Sequence, residues 1–225
     1  MNHKSKESII ILGAGVLTEP MIKRSSELGL HTIVFEFYKD APGLRFADEV
    51  RQVNLKDIKL TVECAREVAR HFHVKGVATC GAELAACVSS ISRALSLPGI
   101  SLEVVLECDD KMAMRHRLTE AGIDHVRWAH VHSLEEALKA ADKVVGYPCV
   151  LKPRDNCGSR GVKRVIDPED LKNWFGTASG FSQLPGVLIE QYLDGPRQTI
   201  EMLVYGGEES SLREGVRVRT WWQVS

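Results

Sequence analysis

Lys152 closes an apolar run, Tyr147-Pro148-Cys149-Val150-Leu151-Lys152, and a little further on the chain reads Gly158-Ser159-Arg160-Gly161. An ammonium at the end of a strand suits a polyphosphate when glycines beside it let backbone N–H groups come close to the oxygens. Arg160 adds a second positive charge there. This is not a Walker loop: no Gly-Lys-Ser/Thr follows, and Val162-Lys163-Arg164-Val165-Ile166 reads as a strand, not a helix. The loop is therefore expected to join two adjacent antiparallel strands and to lie as a flap over a triphosphate. Lys152 is expected to point into a cleft where the ligand supplies its counter-charge. The plainer reading is an edge-strand lysine that discourages aggregation.

Gly13-Ala14-Gly15 suggests other chemistry. It follows the β-branched run Ser8-Ile9-Ile10-Ile11-Leu12, and Glu36 ends the next apolar segment. A nicotinamide fingerprint needs a third glycine where Thr18 stands, which weakens that reading, although Glu36 lies where a ribose-binding acid would be. The broader expectation is a tight strand-to-helix turn whose Gly13 and Gly15 offer N–H groups to an anionic substrate group.

The elements that must position these residues alternate. Strands are expected near residues 8–12, 32–36, 49–53 and 76–79, separated by helices through Met21 and Ile22, from Asp57 to His71 and from Glu83 to Leu95. That alternation implies a parallel sheet covered on both faces, a Rossmann-like α/β domain over residues 1–108. From 109 to 225 the pattern changes to α+β. Asp110-Lys111 opens a helix that stops at Gly122, a strand covers 126–131, and Ser133-Leu134-Glu135-Glu136 is a capping box. Asp167-Pro168-Glu169-Asp170 opens another helix. Val187-Leu188-Ile189 then runs into Glu190-Gln191-Tyr192-Leu193-Asp194-Gly195-Pro196, a strand ending as a hinge between two lobes.

Composition sets the bounds. Twenty-nine basic against thirty acidic residues give a formal charge of -1, so no general attraction to nucleic acid or anionic membrane is expected. No apolar stretch reaches the length of a membrane span or a signal peptide. The six cysteines lack C-x-x-C spacing and read as reduced thiols of a cytoplasmic protein. His71 with His73, and His130 with His132, have strand-type i, i+2 spacing, but no third ligand accompanies either pair, so no metal site is assigned.

Taken together, these motifs resemble the ATP-grasp enzymes: the D-alanine ligases, biotin carboxylase, the large chain of carbamoyl-phosphate synthase and ATP-dependent amino-acid ligases. The resemblance runs from about residue 8 to about residue 205. It implies that Lys111 and Lys152 are the two phosphate-binding lysines and that Gly158, Ser159, Arg160 and Gly161 form the flexible loop. It also implies that Glu190, Gln191, Tyr192 and Leu193 form the adenine hinge, with backbone groups near Gln191 and Leu193 reading the purine.

The implied activity is an ATP-dependent carboxylate–amine ligase acting through an acyl phosphate on small-molecule substrates, with magnesium, and a homodimer is allowed. Two departures stand out. Arg197 occupies a position where a ribose-binding glutamate is often found, and the late acidic residues that would hold magnesium do not occur before Ser225. The chain is therefore expected to bind ATP within an incomplete ATP-grasp domain, with no catalytic residue assigned and Glu201 read as structural. The competing expectations are a nucleotide-binding protein without turnover and, further off, a nicotinamide-dependent oxidoreductase.

Overall fold

The computed structural model describes residues 6–123, 126–156 and 158–195, and the backbone of 202–205 and 208–211. The chain divides into two compact units, 1–124 and 125–225.

In the first unit, β1 (Glu7–Leu12), β2 (His31–Glu36), β3 (Glu49–Gln52) and β4 (His73–Thr79) form a parallel sheet in the order β3-β2-β1-β4. Its helices are α1 (Glu19–Glu27), α2 (Ile58–His71), α3 (Ala85–Ala94), α4 (Leu102–Asp109) and α5 (Lys111–Glu120). Ile10, Leu12, Ile33 and Phe35 pack on one face of the sheet with Ala65, Val68, Cys87 and Ile91. Ile11 and Val34 pack on the other face with Ala14 and Ile22. Because both faces are covered, the central strands are continuous apolar runs and do not alternate with polar residues. Each fully buried isoleucine or leucine there contributes roughly 1.5–3 kcal/mol.

Side-chain caps fix where α2, α4 and α5 begin. The Asp57 side chain accepts from the Leu60 N–H at 3.0 Å, and Asp110 accepts from the Met112 N–H at 3.0 Å. Helix α5, which carries Lys111, buries no side chain, so its cap matters more than its packing, and it groups with the first unit. Helix α4 was not expected from the sequence; Ser101 caps it by accepting from the Val104 N–H at 3.3 Å. Its Val104-Val105 pair and weak amphipathic pattern hid it, since β-branched neighbours carry little helical signal.

The second unit contains β5 (Trp128–Val131), β6 (Cys149–Pro153), β7 (Lys163–Val165) and β8 (Val187–Gln191), an antiparallel sheet in the order β5-β8-β6-β7. Helices α6 (Leu134–Ala140) and α7 (Pro168–Gly180) accompany it, and α6 continues as a wide turn over Ala141–Val145. Val131, Cys149, Leu151, Val165, Val187 and Ile189 form one core with Ala137, Ala141, Leu171 and Ala178 of the helical segments. The Ser133 hydroxyl accepts from the Glu136 N–H at 3.2 Å, while the Glu136 carboxylate reaches back to the His132 N–H at 2.7 Å. The capping box is thus displaced by one residue on its return bond. Asp167 caps α7 by accepting from the Asp170 N–H at 2.8 Å. Beyond β8, β9 (Met202–Tyr205) and β10 (Glu208–Ser211) pair antiparallel in a separate two-stranded sheet. Among the described residues no helix is long and apolar enough to cross a membrane.

Burial separates the thiols into two kinds. Cys149 is fully enclosed, and burial, helped by Asp170, pushes its thiol up to about 11. At pH 8 it is then a thiolate about one part in a thousand, whereas Cys80 and Cys108 are exposed. Ellman's reagent is expected to modify Cys80 and Cys108 in the native protein and Cys149 only after denaturation. Equal rates, measured by mass mapping, would contradict the packing described.

Candidate functional site

Strand β6 lies between β8 and β7, so Lys152 is on an interior strand and the edge-strand reading fails. Along β6, Cys149, Leu151 and Pro153 face the core, which leaves Val150 and Lys152 on the opposite face. The register Val150↔Glu190 and Lys152↔Leu188 puts Glu190 diagonally across from Lys152 on that same face. Lys152 Nζ lies 2.5 Å from Glu190 Oε2, and the Glu190 residue is only 3% exposed. The expectation that a ligand supplies the counter-charge of Lys152 is therefore corrected: a buried carboxylate of the neighbouring strand supplies it. A carboxylate this deep is costly unless compensated, and the Lys152 ammonium is one of the groups that compensates it. Strand alternation could have suggested the pair, because Lys152 and Glu190 both fall on the non-core parity of their strands.

The loop after β6 takes the shape its glycines permit. Gly158, Ser159 and Gly161 have φ of +66°, +61° and +73°, and the Val162 N–H donates to the Ser159 carbonyl at 3.2 Å. It joins antiparallel β6 and β7, as the strand reading of 162–166 implied. Gly158 has open space around it. A Cβ on Gly161, by contrast, would lie 2.8 Å from both Phe181 Cδ2 and Pro153 Cγ. Gly161→Ala thus combines a left-handed backbone with a close approach, and a loss of about 2–4 kcal/mol is expected in urea unfolding, against about 1–2 for Gly158→Ala, which meets the left-handed strain alone.

Asp155 anchors the base of the loop, a role not read from the sequence. Its carboxylate accepts from the Ser182 hydroxyl at 2.7 Å, from the Gln183 N–H at 2.9 Å and from the Leu184 N–H at 3.1 Å. The Asn156 amide donates to the Phe181 carbonyl at 3.0 Å. These bonds tie the start of the loop to the segment after α7, so any flap motion is confined to the residues that follow. The exposed Arg160 lies on that remaining part. Only a polar pair before the glycines, and Ser182-Gln183 far along the chain, hinted at this.

At the hinge, the Gln191 N–H donates to the Arg127 carbonyl at 2.8 Å and the Tyr192 N–H to the Pro148 carbonyl at 3.4 Å. The Arg164 guanidinium lies 4.3 Å from the centre of the Tyr192 ring, and Leu193 is largely exposed. The segment is thus fastened through Gln191 and Tyr192, and the chain leaves the sheet at Leu193. Residues 196–201, with Arg197 and Glu201, lie outside the described residues, as does Cys157. Lys111 begins α5 in the other unit, directly after its Asp110 cap.

The Gly13-Ala14-Gly15 turn already holds an anion of its own. The Glu36 carboxylate accepts from the Ala14 N–H at 2.7 Å and, with its other oxygen, from the Phe37 and Tyr38 N–H groups at 2.7 and 3.0 Å. Gly13, at φ +89°, donates its N–H to the Phe35 carbonyl at 2.9 Å. The acid that would bind a ribose is engaged with backbone, which removes the physical basis of the nicotinamide reading.

Residues 110–210 match the family model described as the carbamoyl-phosphate synthase L chain, ATP binding domain. The protein y4rH of Sinorhizobium fredii (strain NBRC 101917 / NGR234) is 29% identical over 69% of this chain and 33% of its own length. The formate-dependent phosphoribosylglycinamide formyltransferase of Prochlorococcus marinus (strain MIT 9312) is 24% identical over 84% of this chain and 48% of its own. The crystal structure of an L-amino acid ligase from Bacillus licheniformis superposes with a TM-score of 0.70 at 25% identity, covering 93% of this chain and 50% of that one. The chain spans between a third and a half of the length of these relatives. The parallel sheet, the antiparallel sheet and the matched ATP-binding segment together support an ATP-grasp superfamily member.

Proposed function

We propose that this chain binds ATP through residues of the matched segment 110–210 and forms the nucleotide-holding part of a carboxylate–amine ligase. The observation that carries the reading is the grouping of Lys152, Glu190 and the left-handed loop of Gly158, Ser159 and Gly161 on and beside the non-core face of one sheet. The chemistry follows from that face. Loop N–H groups and Arg160 would cover the phosphate oxygens, and Lys152 would turn from Glu190 toward them or bridge both. Glu190 keeps the ammonium extended and oriented while no nucleotide is present. Leu193 and the carbonyls beside it would meet the purine, since the Gln191 N–H is already engaged. Lys111 is proposed as the other phosphate lysine because it falls within the matched segment 110–210.

A ligase of this class transfers the γ-phosphoryl group of ATP to a substrate carboxylate, and an amine then displaces phosphate from the acyl phosphate. The similarity to a formate-dependent formyltransferase and to an L-amino acid ligase supports that class. The substrate carboxylate is proposed to lie near Gly15, given that the Gly13 and Ala14 N–H groups are engaged within the chain. Among the described residues no group of three His, Cys, Asp or Glu side chains could hold a metal ion, so no step is assigned to magnesium beyond its accompanying the nucleotide phosphates. A soluble cytoplasmic protein acting as a homodimer completes the proposal.

Calorimetry is expected to show ATP binding that Lys111→Ala and Arg160→Ala each weaken about tenfold, the scale of one charge-assisted contact. Absence of ATP binding by the intact chain would overturn the reading. ADP release on mixing with carboxylates and amines separates a ligase from a nucleotide binder without turnover.

A further inference from the structure

Helices α2, α3 and α4 of the first unit leave a groove of about 360 Å³ lined by Val62, Arg66, Ser90, Arg93, Ala94 and Leu102. The spacing explains the lining. Val62 and Arg66 lie one turn apart on α2, and Ser90, Arg93 and Ala94 share a stripe of α3, so two helix faces meet along the cleft. Val62, Ala94 and Leu102 supply apolar walls, and one guanidinium comes from each of α2 and α3.

The charges in this groove are not balanced by the protein. Four other arginines of the unit find carboxylates: Arg24 with Glu27, Arg45 with Glu19, Arg51 with Glu49 and Arg117 with Glu107. Among the described residues, Arg66 and Arg93 have no carboxylate within 4.0 Å. The acids nearest to Arg66 along α2, Glu63 and Glu67, line a different cleft with Gln52, Val53, Leu60 and Cys64. Helix α2 therefore sorts its charge, with carboxylates toward one cleft and a guanidinium toward the other. The Ser90 hydroxyl donates to the Ala86 carbonyl at 2.7 Å, so the guanidinium groups are the groove's donors of charge-assisted bonds.

We infer that this groove binds a small organic anion, a dicarboxylate or phosphate monoester whose oxygens meet Arg66 and Arg93 while its carbon body rests on Val62, Ala94 and Leu102. Guanidinium geometry matches carboxylate and phosphate oxygens two at a time, and the groove's volume lies at the small end of the range for small-molecule sites. Such a ligand would occupy the first unit independently of nucleotide, and the inference does not rest on the proposed ATP site.

The test titrates the intact chain with glutarate, glycerol 3-phosphate, inorganic phosphate and neutral glycerol at physiological salt, following backbone amide shifts by NMR. Saturable shifts at Val62, Ser90 and Ala94 are expected with at least one organic anion and not with glycerol. The Kd is expected to be below about 1 mM. Arg66→Gln and Arg93→Gln should each weaken binding about tenfold, and Ala94→Phe should abolish it by filling the floor. All three variants should unfold like the parent chain and keep its response to ATP. Shifts confined to the glycine loop, affinity unchanged in both arginine variants, or saturation by inorganic phosphate alone with no organic anion bound would each overturn the inference.

Discussion

Lys152→Ala is expected to destabilise the second unit by roughly 3–5 kcal/mol, the range for removing one partner of a buried ion pair. The cost arises on the Glu190 side. With the ammonium gone, a carboxylate in a residue 3% exposed loses its ion-pair partner on the neighbouring strand. All four tryptophans, Trp128, Trp174, Trp221 and Trp222, fall in residues 125–225, so intrinsic fluorescence in urea reports on this unit alone. The double variant Lys152→Met with Glu190→Leu removes both charges and should recover most of the lost stability, yet it should not recover ATP binding. That contrast separates the structural from the functional role of the pair. A Lys152→Ala protein that unfolds at the parental urea concentration would show that Glu190 is not held by Lys152.

Glu36→Ala should have the largest effect in the first unit. It orphans the fully buried Ala14 N–H and the Phe37 and Tyr38 N–H groups together. One buried unsatisfied donor costs about 1–3 kcal/mol, and Phe37 and Tyr38 are exposed enough for water to replace part of what they lose. A total loss near 3 kcal/mol is expected, read by circular dichroism, with faster hydrogen exchange at Ala14 as the local signature. Glu36→Gln keeps one acceptor oxygen and should lose about half as much. Neither variant should alter affinity for a nicotinamide nucleotide, because Glu36 serves the turn. If NAD binds the parent chain and Glu36→Ala abolishes it, the turn-anchoring role is wrong.

The sequence by itself determined the elements. The β-branched runs Ile9-Ile10-Ile11 and Thr32-Ile33-Val34 could only be strands buried on both faces, and Asp57, Asp110, Ser133 and Asp167 marked helix starts that the hydrogen bonds match. The strand after the glycine loop excluded a Walker architecture, and the order of Lys152, the loop and the Glu190–Leu193 hinge pointed to the superfamily. These features were readable because they are local. Periodicity, caps and glycine spacing act over a few residues, and each segment carries its own signal.

What only the tertiary structure decided depends on contacts between segments far apart in the chain. Glu190 was read as the first residue of the adenine hinge, and strand pairing made it a buried partner of Lys152. Glu36 looked like a ribose acid until the first strand turn brought the Ala14 N–H onto it. Asp155 gained its anchoring role from Ser182, Gln183 and Leu184, and Arg66 and Arg93 came to share a groove when α2 packed on α3. A sequence states which residues carry charge, but the partner of a charge is set by register and packing, and in this chain those partners decide what each charged residue can do.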